Sequence, residues 1–144
     1  MDWHTLDHSS HAVGQNCFHF TWAPKYRYPV FRIQEYIFEM EKILREVAQK
    51  HGMQVHELCI ERDHVHCFAS FPSTISVSKA LGLLKGGSSY EFRKLHLRMR
   101  KYKALWSRGK FYRSVGSVTA NAVQCYINDT HHVTRMPIGQ RTLA

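Results

Sequence analysis

The run Asp63-His64-Val65-His66-Cys67-Phe68-Ala69-Ser70-Phe71 constrains the fold more than any other segment of the chain. Arg62-Asp63 precedes it as a turn and Pro72-Ser73 stops it, so it is predicted as a strand. Side chains on a strand alternate between faces. His64 and His66 therefore share one face, while Val65 turns to a core. Two imidazoles one residue apart on a rigid strand can clamp a divalent ion. An ion held this way can polarise a phosphate or generate a nucleophile.

The flanking segments supply a sheet for that strand. Cys17–Ala23 is rich in aromatic and β-favouring residues and reads as a first strand, ended by Pro24. Lys25–Phe31 reads as an irregular or short-strand connection. From Gln34 to His51 the apolar residues Ile37, Met40, Ile43, Leu44, Val47 and Ala48 follow helical spacing, with Gly52 as the stop. Met53–Glu61 and His64–Phe71 form a hairpin around Arg62-Asp63. Ile75–Leu84 reads as a helix capped by Ser73 or Thr74, broken at Gly86-Gly87 and resumed from Ser88 to about Arg100. Trp106–Val115 reads as a strand or strand pair with Gly109 in a turn. A last helix, capped by Ser117 or Thr119, runs to about His131 and carries Tyr126. The order β-α-β-β-α-(α)-β-α predicts an α+β fold, a ferredoxin-like or RRM-like antiparallel sheet with helices packed on it. Residues 1–14 are expected to be an irregular arm, 15–135 a single domain and 136–144 a tail.

Charge narrows the partners. The 144 residues carry a net charge of +9, and 44% of them are hydrophobic, enough for one packed core. All of the excess charge lies in one block. Lys79, Lys85, Arg93, Lys94, Arg98, Arg100, Lys101, Lys103, Arg108, Lys110 and Arg113 face a single acid there, Glu91. A solvated helix face usually mixes signs. This block reads instead as a surface for nucleic-acid phosphates, with a membrane surface as the other option. Tyr90, Phe92, Tyr102, Trp106, Phe111 and Tyr112 are interleaved with it, either as base-stacking groups or as core. No apolar stretch is long enough to span a bilayer, and the first residues lack the pattern of a signal peptide, so a cytoplasmic protein without membrane contact is expected. Cys17, Cys59, Cys67 and Cys125 form no C-x-x-C pair and read as small buried hydrophobes in a reducing compartment.

A lone helical tyrosine is ordinarily a core or surface residue. In combination, the segments of this chain resemble the single-tyrosine HUH transposases of the IS200/IS605 type. Lys25-Tyr26-Arg27 with Pro29-Val30-Phe31 resembles the family's opening, and Asp63-His64-Val65-His66 its metal motif. Lys85-Gly86 with Ser88-Ser89 resembles its central turn. Leu105-Trp106 through Phe111-Tyr112, then Ser114-Val115-Gly116-Ser117-Val118-Thr119, resembles the approach to its catalytic helix. The resemblance implies an enzyme that cuts and rejoins single-stranded DNA at the ends of an insertion sequence through a 5′-phosphotyrosine. It implies Tyr126 as nucleophile and His64 and His66 as ligands of Mg²⁺ or Mn²⁺. The family usually supplies a third ligand, often Gln, one turn after the tyrosine. Thr130 stands there in this chain, with Asp129 beside it as a stronger oxygen donor. The resemblance further implies a homodimer with composite active sites, DNA hairpins as partners, and Gly116 as either a hinge or a plain turn glycine.

The chemistry is coherent on its own terms. A phenol with a pKa near ~10 is a poor nucleophile at neutral pH unless helped. A tyrosine ester, unlike a hydrolysed end, can be reversed, as strand transfer requires. Two other readings stand beside this one. The first is a catalytically decayed or domesticated hairpin-binding protein of the same fold. The second is a metal hydrolase in which the histidines activate water. His19 and His56 lie in strands that could bring them toward the site, but spacing alone favours hydrogen-bonded core or surface roles for both. Glu61 and Asp63 read as acceptors that orient the histidines, with Asp63 equally suited to a turn.

Overall fold

The computed structural model describes residues 6–8, 10–101 and 103–116. The helix expected to carry Tyr126, the residues Asp129, Thr130 and Cys125, and the tail at 136–144 lie outside the described residues.

Eight elements order the described chain: β1 (Asp7–His8), β2 (Val13–Gly14), β3 (Cys17–Trp22), α1 (Gln34–Lys50), β4 (Gln54–Ile60), β5 (Val65–Ser70), α2 (Val77–Leu95) and β6 (Phe111–Ser114). Strands β3 to β6 form one antiparallel sheet in the order β4-β5-β3-β6. With α1 and α2 this gives the predicted α+β architecture of ferredoxin-like type. The histidine strand β5 is interior, so its backbone is paired on both sides and its side chains are held rigidly.

Alternation divides the sheet. Phe20 and Trp22 of β3 and Val65, Cys67 and Ala69 of β5 join Met40, Leu44, Ala80, Leu81, Leu84 and Phe92 of the two helices in one core. The opposite face carries His19, Thr21, His66 and Phe68. Cys17, Cys59 and Cys67 are buried. Burial pushes the Cys17 thiol up to about 11 and the Cys67 thiol up to about 12, so both are inert apolar fillers.

α1 buries its apolar stripe and ends where Gly52 takes φ +70°, which lets the N–H groups of His51, Gly52 and Met53 reach the last carbonyls. The structure corrects the reading of the second helical region. α2 starts later than predicted, capped by Ser76, whose hydroxyl accepts from the Lys79 amide at 3.1 Å. It then runs unbroken through Gly86-Gly87. These glycines are neither a break nor a central turn. A Cβ on Gly87 would lie 2.7 Å from Val47 Cγ1 of α1, so glycine is needed for the close approach of the two helices. Ser88 and Ser89 also sit inside the helix. Ser88 Oγ accepts from Trp106 Nε1 at 2.9 Å, and Ser89 Oγ accepts from the Leu105 amide at 3.1 Å.

Two smaller differences follow. Only Phe111–Ser114 of the predicted 106–115 region is strand, and Trp106 forms a single bridge with Pro24. At the other end, β1 and β2 pair as a short ribbon in place of the expected irregular arm.

Candidate functional site

The two-residue turn at Arg62-Asp63 builds the site. The Glu61 N–H donates to the His64 carbonyl at 2.8 Å, which closes the hairpin and sets the Glu61 and His64 side chains together. His64 Nε2 lies 2.7 Å from Glu61 Oε2, and His64 Nδ1 lies 2.9 Å from Asp63 Oδ1. Glu61 and His64 are both buried. Burial pushes the His64 pKa down, but the two carboxylates, by hydrogen bond and by charge, more than offset it and hold His64 above its ordinary value.

His66 is set differently. Cross-strand pairing places it opposite Thr21 of β3 on one side and Cys59 of β4 on the other. Its Nδ1 lies 3.2 Å from both His19 Nε2 and Thr21 Oγ1. The His19 and His66 rings stack with centroids 5.4 Å apart. Burial, reinforced by the charges of His64 and His19, lowers His66 to about 4, so it is neutral at physiological pH. Spacing alone makes His19 a core or surface histidine, whereas the structure places it against His66. No local signal could have found it, because the register of β3 on β5 joins residues 47 apart. His56 bonds Ser70 Oγ at 2.9 Å.

The donor chemistry suits a divalent ion. The His64 and His66 rings have centroids 4.9 Å apart and planes at 81°, with a carboxylate on His64. His66 offers a neutral imidazole, and His64 would offer one by giving up the proton that Nε2 shares with Glu61. Neutral imidazole with oxygen donors matches Mn²⁺ and tolerates Mg²⁺. Among the described residues, no group of three or more His, Cys, Asp or Glu side chains is arranged to hold a metal by itself. An ion here would take His64 and His66 and complete its shell from other oxygens.

A groove of about 290 Å³ opens beside His64, lined by Thr21, Trp22, Ala23, Arg27, Gly109 and Lys110 among others. Lys85 supports its rim: its ammonium donates to the carbonyls of Ser107 at 2.8 Å and Gly109 at 3.3 Å. Arg93 likewise donates to the carbonyls of Met99 and Arg100, fastening the 3₁₀ turn Leu97–Lys101 to α2. Of the predicted phosphate-binding residues, Lys85 and Arg93 are thus engaged with the backbone, as is Arg100, whose Nε donates to the Arg93 carbonyl at 3.4 Å. Lys79, Lys94, Arg98, Arg100, Lys101, Lys103, Arg108, Lys110 and Arg113 are exposed. Arg113 lies on edge strand β6, with its guanidinium over Phe111 at 5.6 Å.

The loop after β3 is the other unusual feature. Tyr26 and Arg27 have φ of 59° and 52°, a left-handed conformation that costs a side-chain-bearing residue of order ~1–3 kcal/mol. Bonds from the Lys25 amide to the Leu105 carbonyl and from the Arg27 amide to the Pro24 carbonyl, both 2.9 Å, hold it. The Arg27 guanidinium lies 3.7 Å from Asp63, so the loop is tied to the carboxylate that orients His64.

A family model described as "Transposase IS200 like" matches residues 12–130. The chain belongs to the IS200-like transposase family. The transposase for insertion sequence element IS200 of Salmonella typhimurium is 34% identical over 131 residues, covering 88% of this chain and 83% of that protein. The ISDra2 transposase TnpA of Deinococcus radiodurans is 27% identical over 120 residues, 79% of this chain and 83% of that one. Among solved structures, a candidate transposase from Deinococcus radiodurans superposes with a TM-score of 0.69 at 25% identity, over 87% of this chain and 98% of its own. A REP-associated tyrosine transposase bound to a REP hairpin shares the fold, with a TM-score of 0.60 at 13% identity over 88% and 73% of the two chains. The histidine strand of this IS200-like transposase is thus the middle of a transposase fold. Among its described residues, no helix is long and apolar enough to cross a membrane.

Proposed function

We propose that this transposase cleaves and rejoins single-stranded DNA at the ends of its mobile element through a 5′-phosphotyrosine on Tyr126. The observation that carries the reading is the pairing of His66, buried and neutral on the interior strand β5, with His64 immediately before that strand, beside a groove lined by Arg27 and Lys110. His64 and His66 would hold Mg²⁺ or Mn²⁺, with Asp129 and Thr130 as further oxygen donors. A bound ion supplies charge neutralisation at the phosphate oxygens.

The chain's own groups do the rest. Arg27 and Lys110 draw the DNA backbone into the groove. Glu61 and Asp63 fix the ring of His64, and His19 and Thr21 fix that of His66. The Tyr126 phenol loses its proton to solvent and its oxygen forms a bond to phosphorus while the bond from phosphorus to the 3′-oxygen breaks; that oxygen takes up a proton from solvent and leaves as a 3′-hydroxyl. The reverse attack by a 3′-hydroxyl restores a phosphodiester and frees the phenol, so rejoining needs no external energy source. The exposed cations between Lys79 and Arg113 would bind phosphates of hairpins at the element ends. The hairpin held by the REP-associated relative is in keeping with this. The functional unit we propose is a cytoplasmic homodimer of the 15–135 domain, with the tyrosine helix of one subunit completing the site of the other.

The test is to incubate the protein with labelled single-stranded hairpin DNA from the flanks of its own gene and Mn²⁺, then denature it. A covalent adduct that disappears in Tyr126→Phe is the expected result. Binding without cleavage would favour the hairpin-binding alternative. Cleavage that survives Tyr126→Phe would favour the hydrolase.

A further inference from the structure

The loop that presents Arg27 to Asp63 also borders a second cavity, which shares no lining residue with the groove beside His64. It has a volume of about 280 Å³, with apolar walls from Pro24, Pro29, Val30 and Leu105. Tyr26 and Tyr28 line it and stay 79% and 52% exposed, with rings edge to face at 6.2 Å. Tyrosines this open gain little from folding. Tyr26 nevertheless occupies a left-handed backbone position that would suit glycine better. Strain kept at an exposed aromatic is an indication of use.

The charges on this cavity are all of one sign. Lys25, Arg32 and Arg98 line it, and among the described residues no acidic one does. The Lys25 ammonium sits 5.6 Å from the Tyr26 ring. Apolar walls, solvent-exposed tyrosines and cations at the rim form the combination that binds a base and its phosphate together. The volume is at the small end for ligand pockets, which run to roughly 300–1,000 Å³, and so suits one nucleotide rather than a duplex. In a duplex, moreover, the base faces are already stacked.

We infer that this cavity docks one unpaired base of single-stranded DNA against Tyr26 and Tyr28, with its phosphate held by Lys25, Arg32 or Arg98. The inference rests on the reading of this protein as a single-strand enzyme and adds a positioning site to it. The link from Arg27 to Asp63, and from Asp63 to His64, fixes the docked base relative to the histidine strand. A strand held there would enter the groove beside His64 in a set register.

The experiment uses the full chain and single-stranded oligonucleotides from the flanks of its gene, with 2-aminopurine placed at successive positions. Wild type should quench one position far more than its neighbours. Tyr26→Ala should lose that quench and bind about tenfold more weakly, whereas Tyr26→Trp should keep both. An abasic site at the quenched position should weaken wild type about tenfold and Tyr26→Ala hardly at all. Tyr26 is exposed, so neither substitution touches the core. If wild type binds but Tyr26→Ala binds equally and quenches the same position, the docking site is refuted while the single-strand reading survives. If wild type binds no single strand, the functional reading falls and this inference with it.

Discussion

Acidification should destabilise this protein through His66, and the size of the effect follows from its surroundings. His66 is 3% exposed and lowered from 6.5 to about 4, chiefly by burial. The unfolded chain therefore takes up a proton on this side chain near pH 6.5, while the folded chain refuses it until about pH 4. Between these values the unfolded state binds more protons, so stability falls as pH falls. A tenfold change in proton affinity corresponds to ~1.4 kcal/mol, and over the window from pH 7 to pH 5 the linkage amounts to ~2 kcal/mol. His64 acts in the opposite direction: its pKa is raised, so its stabilisation grows as pH falls from 7 and is complete below 6.5. Because it is present in both wild type and His66→Gln, it drops out of the comparison between them. His19, lowered by burial and then by the Arg113 charge, acts in the same direction as His66. Urea unfolding at pH 7 and pH 5 should show wild type losing ~2 kcal/mol more than His66→Gln across the window. Equal losses in the two proteins would refute the assignment of His66 as a buried neutral base.

The remaining predictions concern packing and the metal. Gly87→Ala should destabilise by ~1–3 kcal/mol, because the new methyl meets Val47, whereas Gly86→Ala has open space and should gain up to ~1 kcal/mol of helix propensity; thermal unfolding separates them. Asp63→Ala removes both the His64 contact and the tether to Arg27, and should weaken Mn²⁺ binding about 10–100-fold by calorimetry.

Most of the fold was legible because its signals are local. The stripe of Met40, Ile43, Leu44, Val47 and Ala48 marks α1, and the turn at Arg62-Asp63 marks the hairpin. The errors came where a local rule met a tertiary contact. Gly86-Gly87 resembles a helix break in sequence. In the fold Gly87 lets two helices approach and α2 continues, because the packing gained outweighs the low propensity of glycine. Tyr26 and Arg27 show no mark in the sequence of their left-handed backbone, which is imposed by bonds to Pro24 and Leu105.

The site divides along the same line. Residues close along the chain declared themselves: alternation put His64 and His66 on one face, and the turn at Arg62-Asp63 put Glu61 and Asp63 near His64. The sequence therefore determined the strand, its chemistry and the sign of the surface around it. Only the tertiary structure decided that His19 and Thr21 meet His66, that Lys85 props the groove's rim, and that an aromatic cavity lies behind the Arg27 loop. Those partners come from strand register and helix docking, which depend on the summed burial of the whole core and leave no periodic trace in any one segment.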